Sequence, residues 1–311
     1  MTFPDYVKSA YEDIKSMKIR GAGRIAIHAV KTLRMYISEM PEKINSENMK
    51  KIIRVAKFLN SSRPTAISLK NSLRFVLRYS YREENYSSDL LKRCDMFIET
   101  AKTSLEKIGN IAEERIKDGY TILTHCNSNA AISGIIKAHE KGKNIKVINT
   151  ESRPAFQGRI TSRVLAEKGL DVTMIVDSAV RYHIPDVDIV MVGADTITSN
   201  GVVINKIGTS QVAAFAHEAR RPFLVCAETY KISPETLIGN LVSIEERPSN
   251  EVIPDDIKPD GLKVSNPVFD ATPPEYITGI VTEIGLISPH SVYYVMKEKM
   301  GDIEDILRIG I

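Results

Sequence analysis

From Tyr120 onward, short apolar runs alternate with helical stretches, and this rhythm restricts the fold more than any other feature of the chain. Residues 121–124, 146–149, 172–175, 189–192, 223–226 and 291–294 read as strands. Residues 129–141, 157–168, 208–220 and 275–284 read as helices, the first opened by the cap residues Asn127 and Ser128 and stopped by Gly142. Serial strand–helix–strand units build parallel sheets through right-handed crossovers, so the expectation is a doubly wound parallel sheet. Ahead of Gly119 the rhythm is absent. Residues 1 to 117 read as helices only, at 6–17, 25–39, 46–59, 65–79 and 89–117, with Ile25, Ala29, Leu33, Tyr36 and Ile37 forming one apolar stripe. The expected fold class is α/β: an all-helical N-terminal domain over 1–118, then a Rossmann-like, doubly wound parallel-sheet domain over 119–311.

Sheets of this kind bind ligands beyond the carboxyl ends of their strands. The residues to inspect are therefore 125–129, 150–153, 177–179, 193–196 and 227–231. Cys126 falls where a strand ends and a helix begins. Helix N-termini stabilise thiolates and hold phosphate, so Cys126, Ser128, Asn129 and Ala130 form one candidate group. The same position equally suits a buried free cysteine packing as a small hydrophobe. Asp195 follows the apolar strand Ile189-Val-Met-Val192; a carboxyl flanked by apolar residues resists ionising and can donate a proton. It also suits a residue capping the turn before Asn200-Gly201, a hairpin signal. Arg20-Gly21-Ala22-Gly23-Arg24 combines small residues, which let backbone approach an anion, with a bidentate guanidinium, and it equally suits a tight turn between helices. Asn205 and Lys206 precede a helix started by Gly208. Lys231, after the strand ending at Cys226, adds a positive charge, although a lone surface lysine signifies little.

Several functions are excluded. Of 311 residues, 43% are apolar and 26% charged, as in a globular chain with a sizeable core. No apolar run spans a bilayer, and Met-Thr-Phe-Pro-Asp-Tyr is no signal peptide. Three separated cysteines make neither a disulfide framework nor a metal pair, and a cytoplasmic protein without membrane partners is expected. A net charge of +3 without a dense basic block gives no nucleic-acid partner. No histidines or carboxylates show metal-ligand spacing, so no metal is expected. His125 neighbours Cys126, but alternate strand residues point to opposite faces. Neither a Walker lysine nor a Gly-x-Ser-x-Gly elbow is present.

Together, Arg-Gly-Ala-Gly at 20–23, Thr-His-Cys-Asn-Ser-Asn-Ala at 124–130, Thr-Glu-Ser-Arg-Pro-x-x-Gln-Gly at 150–158, Val-Gly-Ala-Asp-x-Ile-Thr-x-Asn-Gly at 192–201 and Asn-Lys-Ile-Gly-Thr at 205–209 carry a family resemblance. The chain resembles the archaeal ribose-1,5-bisphosphate isomerases, which belong with methylthioribose-1-phosphate isomerase and the regulatory subunits of translation initiation factor 2B. The likeness runs from Arg20 to Tyr276. It implies an aldose–ketose isomerase with Cys126 as general base and Asp195 as general acid. Arg20, Gly21, Ala22, Gly23, Arg63, Ser128, Asn129, Ala130, Asn205, Lys206 and Lys231 would bind a sugar bisphosphate. Arg63 enters mainly through the resemblance, lying in the Ser-Ser-Arg-Pro-Thr break. The implied reaction opens α-ribose 1,5-bisphosphate and passes through a phosphoenolate to ribulose 1,5-bisphosphate, on an archaeal route from AMP breakdown to ribulose-bisphosphate carboxylase. It needs no metal or redox cofactor. It does need a lowered thiol pKa, to which the helix start would contribute. A homo-oligomer is implied, as a dimer or a hexamer built as a trimer of dimers. Two other members of the superfamily remain in competition. A methylthioribose-1-phosphate isomerase needs an apolar pocket where Arg63 and Arg24 better suit a second phosphate. A non-catalytic regulatory subunit of a guanine-nucleotide exchange factor need not keep both Cys126 and Asp195.

Overall fold

The computed structural model describes residues 3–19, 21–80, 84–301 and 311. The chain divides into two compact units, each discontinuous in sequence: Met1–Thr103 with Thr229–Gly239 and Tyr294–Ile311, and Ser104–Glu228 with Asn240–Tyr293.

The first unit holds helices α1 (Asp5–Lys15), α2 (Ala22–Ser38), α3 (Ser46–Ser61) and α4 (Ile67–Leu77), and the first part of α5 (Ser87–Glu113). Apolar side chains recur every three or four residues: Ile25, Ala29, Val30, Leu33 and Ile37 on α2, Ile52, Val55 and Leu59 on α3, and Leu69, Leu73 and Val76 on α4. These stripes are buried in one core with Val7, Ala10 and Ile14 of α1. The capping amide of Asn45 accepts the Asn48 N–H at 2.8 Å and starts α3. One departure from the helices-only expectation is a ribbon in which β1 (Lys43–Ile44) pairs antiparallel with β2 (Asn85–Tyr86). Two residues are too few to display a strand period in sequence.

The second unit is built on a seven-stranded sheet. Its strands, with the elements between them, are β3 (Thr121–Thr124), α6 (Asn129–Glu140), β4 (Lys146–Thr150), α7 (Gln157–Glu167), β5 (Asp171–Ile175), α8 (Val180–His183), β6 (Ile189–Val192), α9 (Thr209–Glu218) and β9 (Phe223–Cys226). β12 (Gly279–Thr282) and β13 (Gly285–Ile287) complete it. The order is β13-β12-β9-β6-β3-β4-β5, parallel except where β13 returns antiparallel on β12. The chain thus builds outward from β3 to one edge, then resumes on its other side at β6. β3 and β6, whose carboxyl ends flank this reversal, are neighbours with Leu123 opposite Val190. β7 (Thr196–Thr198) and β8 (Val203–Lys206) form an antiparallel hairpin, and β11 (Phe269–Thr272) pairs antiparallel with β8. The short strand β10 (Ile232–Ser233) lies in the first unit's Thr229–Gly239 segment.

Two expected elements near the C-terminus are corrected. Residues 275–284 are not a helix: Pro274–Tyr276 makes one 3-10 turn, and Gly279–Thr282 is β12. Residues 291–294 are not a strand; α10 (Val292–Met300) begins there, after a turn opened by Pro289, with the Ser288 hydroxyl accepting the His290 N–H. Among the described residues no helix is long and apolar enough to cross a membrane.

Candidate active site

Cys126 follows β3, two residues ahead of Ser128, whose hydroxyl caps α6 by accepting the Ala131 N–H at 3.4 Å. Its backbone is left-handed, at φ 66, which is uncommon for a residue with a side chain. The Cys126 N–H donates to Ser152 Oγ at 2.8 Å, and Thr161 Oγ1 lies 2.8 Å from the Cys126 carbonyl and donates to it. Ser152 comes just after β4 and Thr161 lies on α7; both are fully buried.

Behind these residues runs a chain of hydrogen bonds with one direction. The Ile207 carbonyl only accepts, so His125 Nε2, 2.9 Å away, carries a proton. Burial lowers the His125 pKa, leaving the ring neutral, so Nδ1 accepts from Thr150 Oγ1 at 2.6 Å. The Thr150 hydroxyl then accepts from Ser152 Oγ at 3.3 Å. His125, set aside from sequence, therefore links the Cys126 loop to the residue after Lys206.

Asp195 lies just past β6 at the start of the β7–β8 hairpin, where its N–H donates to the Ile204 carbonyl at 3.0 Å. Two residues earlier, Gly193 touches the Cys126 loop. A Cβ on Gly193 would stand 2.3 Å from Ser128 Oγ, so only glycine lets the β3 and β6 ends approach this closely. Asn205 and Lys206 end β8; Asn205 Nδ2 donates to Thr209 Oγ1 at 3.0 Å, and the Lys206 ammonium lies 5.3 Å from the Phe269 ring centroid. Gly208 and Ser210, at the head of α9, donate backbone N–H groups to Asp270 at 2.8 and 3.1 Å. Burial raises the Asp270 carboxyl to about 6.

The electrostatics join these residues. Burial pushes the Cys126 thiol up to about 11, against a smaller downward pull from the Lys206 ammonium and the Asn127 N–H; the carboxylates of Asp195 and Asp177 push it up further. The expectation of a thiol lowered by the helix start is thereby corrected. Desolvation outweighs the pull of the Lys206 ammonium and the Asn127 N–H. Cys126, Ser128, Asp195 and Lys206 meet at the strand ends, while Asn129 and Ala130 begin α6, with Asn129 exposed and Ala130 buried.

The remaining expected residues fall in the first unit. Arg20 lies outside the described residues. Gly21 is at φ 89 and caps α2, with the Arg24 guanidinium folded over it. Ala22 accepts the Ser68 hydroxyl at 3.1 Å, Gly23 follows in the first turn of α2, and Arg63 is half-buried between α3 and α4. Lys231 is not the surface lysine expected: it is 7% exposed, and Asn71 Nδ2 on α4 donates to the carbonyls on either side of it, Tyr230 at 2.9 Å and Ile232 at 2.7 Å. Sequence inspection reached Ser152 as a residue after a strand, but nothing marked Thr161, one hydroxyl among many on an amphipathic helix.

The pattern of the initiation factor 2 subunit family matches residues 18–289. A protein of Archaeoglobus fulgidus named ribose 1,5-bisphosphate isomerase is 53% identical over 296 residues, covering 95% of this chain and 94% of its own. One of the same name from Methanocaldococcus jannaschii is 50% identical, covering 98% of each. Among solved structures, the translation initiation factor eIF-2B of Pyrococcus horikoshii OT3 superposes with a TM-score of 0.78 at 30% identity, covering 92% of this chain and 98% of its own.

Proposed function

Since the chain belongs to the initiation factor 2 subunit family, we propose that it is an isomerase converting α-D-ribose 1,5-bisphosphate to D-ribulose 1,5-bisphosphate. Its near-full-length relatives bear that isomerase name. The observation that carries the reading is the meeting, at the ends of two adjacent strands, of a thiol and a carboxyl close enough for one charge to act on the other. An aldose–ketose isomerisation needs one acid and one base, placed so that protons can be moved between neighbouring atoms.

In this reading Asp195, protonated, gives its proton to the ring oxygen as the bond from that oxygen to carbon 1 breaks. The Cys126 thiolate takes the proton from carbon 2, and the electron pair of that C–H bond forms the double bond between carbons 1 and 2. The resulting enol keeps its phosphate on carbon 1. Its hydroxyl on carbon 2 returns a proton to Asp195, and Cys126 delivers its proton to carbon 1, leaving a ketone at carbon 2. Each group ends as it began, and the sugar is neither oxidised nor reduced overall. Lys206 stands where its charge favours both the thiolate and an anionic enolate. Ser128, Asn129, Ala130, Asn205 and Lys206 are proposed as substrate-binding residues, with Ser128 to Ala130 offering the free N–H groups of a helix start. Arg20, Gly21, Ala22, Gly23, Arg63 and Lys231 are proposed to bind the sugar bisphosphate as well, three of them as cations suited to phosphate.

The same reading includes a Rossmann-like, doubly wound domain, supported by the strand order that reverses at β3 and β6. It also includes a helical N-terminal domain, a cytoplasmic location and a homo-oligomer, the last testable by light scattering. The central test is turnover. Purified protein should convert the bisphosphate, while Cys126→Ser and Asp195→Asn should each bind it and lose about 10²–10⁴-fold in kcat. Near-wild-type turnover by either variant overturns these roles.

A further inference from the structure

Cys126 occupies a left-handed backbone conformation that a side-chain-bearing residue keeps only when its surroundings hold it there. Two hydroxyls supply that hold. Ser152 Oγ takes the Cys126 N–H and Thr161 Oγ1 donates to the Cys126 carbonyl, each at 2.8 Å, so both polar groups of this backbone unit end on side chains. Each hydroxyl is itself anchored. The Ser152 N–H donates to Asp177 Oδ1 at 2.8 Å, while Asp177 Oδ2 takes the Arg153 N–H at 2.7 Å. Ser152 also joins the chain through Thr150 and His125 to the Ile207 carbonyl, next to Lys206. Thr161 is carried on α7, a helix of 11 residues, and is fully buried.

We propose that Ser152 and Thr161 are positioning residues: by fixing the Cys126 backbone between them they hold the thiol within reach of Asp195 and Lys206. They act through Cys126 and on the geometry of proton transfer. Their removal should therefore lower kcat while leaving substrate affinity in place, since a small misplacement of a reacting group is enough to slow a step that depends on alignment. The proposal rests on Cys126 being the base of the isomerisation.

Three variants separate positioning from folding. Thr161→Val keeps the shape of the side chain and removes the hydroxyl; Thr161→Ser restores the hydroxyl. Ser152→Gly removes the other hydroxyl while suiting the backbone, because residue 152 is itself left-handed at φ 58. Thr161→Val and Ser152→Gly should each lose tenfold or more in kcat with KM within twofold of wild type, and Thr161→Ser should stay within threefold in kcat. A second readout needs no substrate. The rate of iodoacetamide alkylation at Cys126, followed by peptide mass spectrometry at pH 8, should change threefold or more in the two hydroxyl-less variants and stay unchanged in Thr161→Ser. If both hydroxyl-less variants keep kcat and alkylation rate within threefold of wild type, or if Thr161→Ser fails as badly as Thr161→Val, the proposal is overturned. Should the wild type fail to turn over the bisphosphate, the isomerase reading fails, and the alkylation contrast still decides whether these hydroxyls set the thiol.

Discussion

Burial holds the Cys126 thiol up at about 11, so at neutral pH almost every resting molecule carries the protonated form. A base with a raised pKa is scarce but strong, which suits removal of a proton from carbon. Because the thiolate fraction grows about tenfold per pH unit below that pKa, the rate of iodoacetamide alkylation at Cys126 should rise with a slope near one from pH 7 to 9. A rate that stays flat over that range would show that the thiol titrates well below it. Replacing Lys206 with Met should push the thiol higher still and displace the whole curve toward alkali, because the ammonium lowers it. The place of Cys126 between strand and helix was legible in sequence, since the strand run and the cap at Ser128 are local signals. Its protonation was not. It is set by what the fold brings around the sulfur, burial first and then the charges of Lys206, Asp195 and Asp177, the last of them 51 positions further along.

Among elements, the meeting of the β3 and β6 ends depends on one missing methyl. Gly193→Ala would place a Cβ 2.3 Å from Ser128 Oγ and 2.6 Å from Ser128 Cβ. Overpacking of this kind costs about 1–3 kcal/mol. Trimming the opposing side chain should recover much of it, since Ser→Gly at an N-cap costs only a few tenths of a kcal/mol. Denaturant melts of Gly193→Ala, Ser128→Gly and the double variant therefore form a cycle with a coupling of about 1 kcal/mol or more. Additive losses would mean that the two loops are free to move apart. Most strands and helices were legible because each carries its own local signal, as β3, β4, β5, β6 and β9 and the stripe on α2 do. The C-terminal exceptions were not. Gly279-Ile-Val-Thr282 is too short to declare a period and follows a proline-rich turn, while Val292-Tyr-Tyr-Val295 has strand propensity yet joins a helix opened by Pro289 and the Ser288 cap.

At the scale of the whole molecule, neither unit is one continuous stretch. Thr229–Gly239 belongs with the helices through Asn71, which binds the carbonyls of Tyr230 and Ile232, and through Glu235, which pairs with Lys70 at 2.6 Å and Arg74 at 2.7 Å. Tyr230 also enters the helical core, 5.5 Å from Phe97 between ring centroids. Side-chain amides and ion pairs between residues more than 150 positions apart leave no periodic trace, so this allegiance could not be read from sequence. A fragment ending at Thr103 would uncover the Phe97 ring that packs against Tyr230 and strand the buried Arg74 without its carboxylate. It should lack the sigmoidal thermal unfolding of the intact protein when followed by circular dichroism. A cooperative melt at the same temperature would show that the late segment adds little. The ribosome delivers these pieces in an awkward order. At ~5–20 residues per second, about ten seconds of synthesis separate Thr103 from Tyr230, and the first five strands of the large sheet emerge in that interval. The nascent helices must wait unfinished, their last pieces still untranslated, for as long as a chaperone needs to find them.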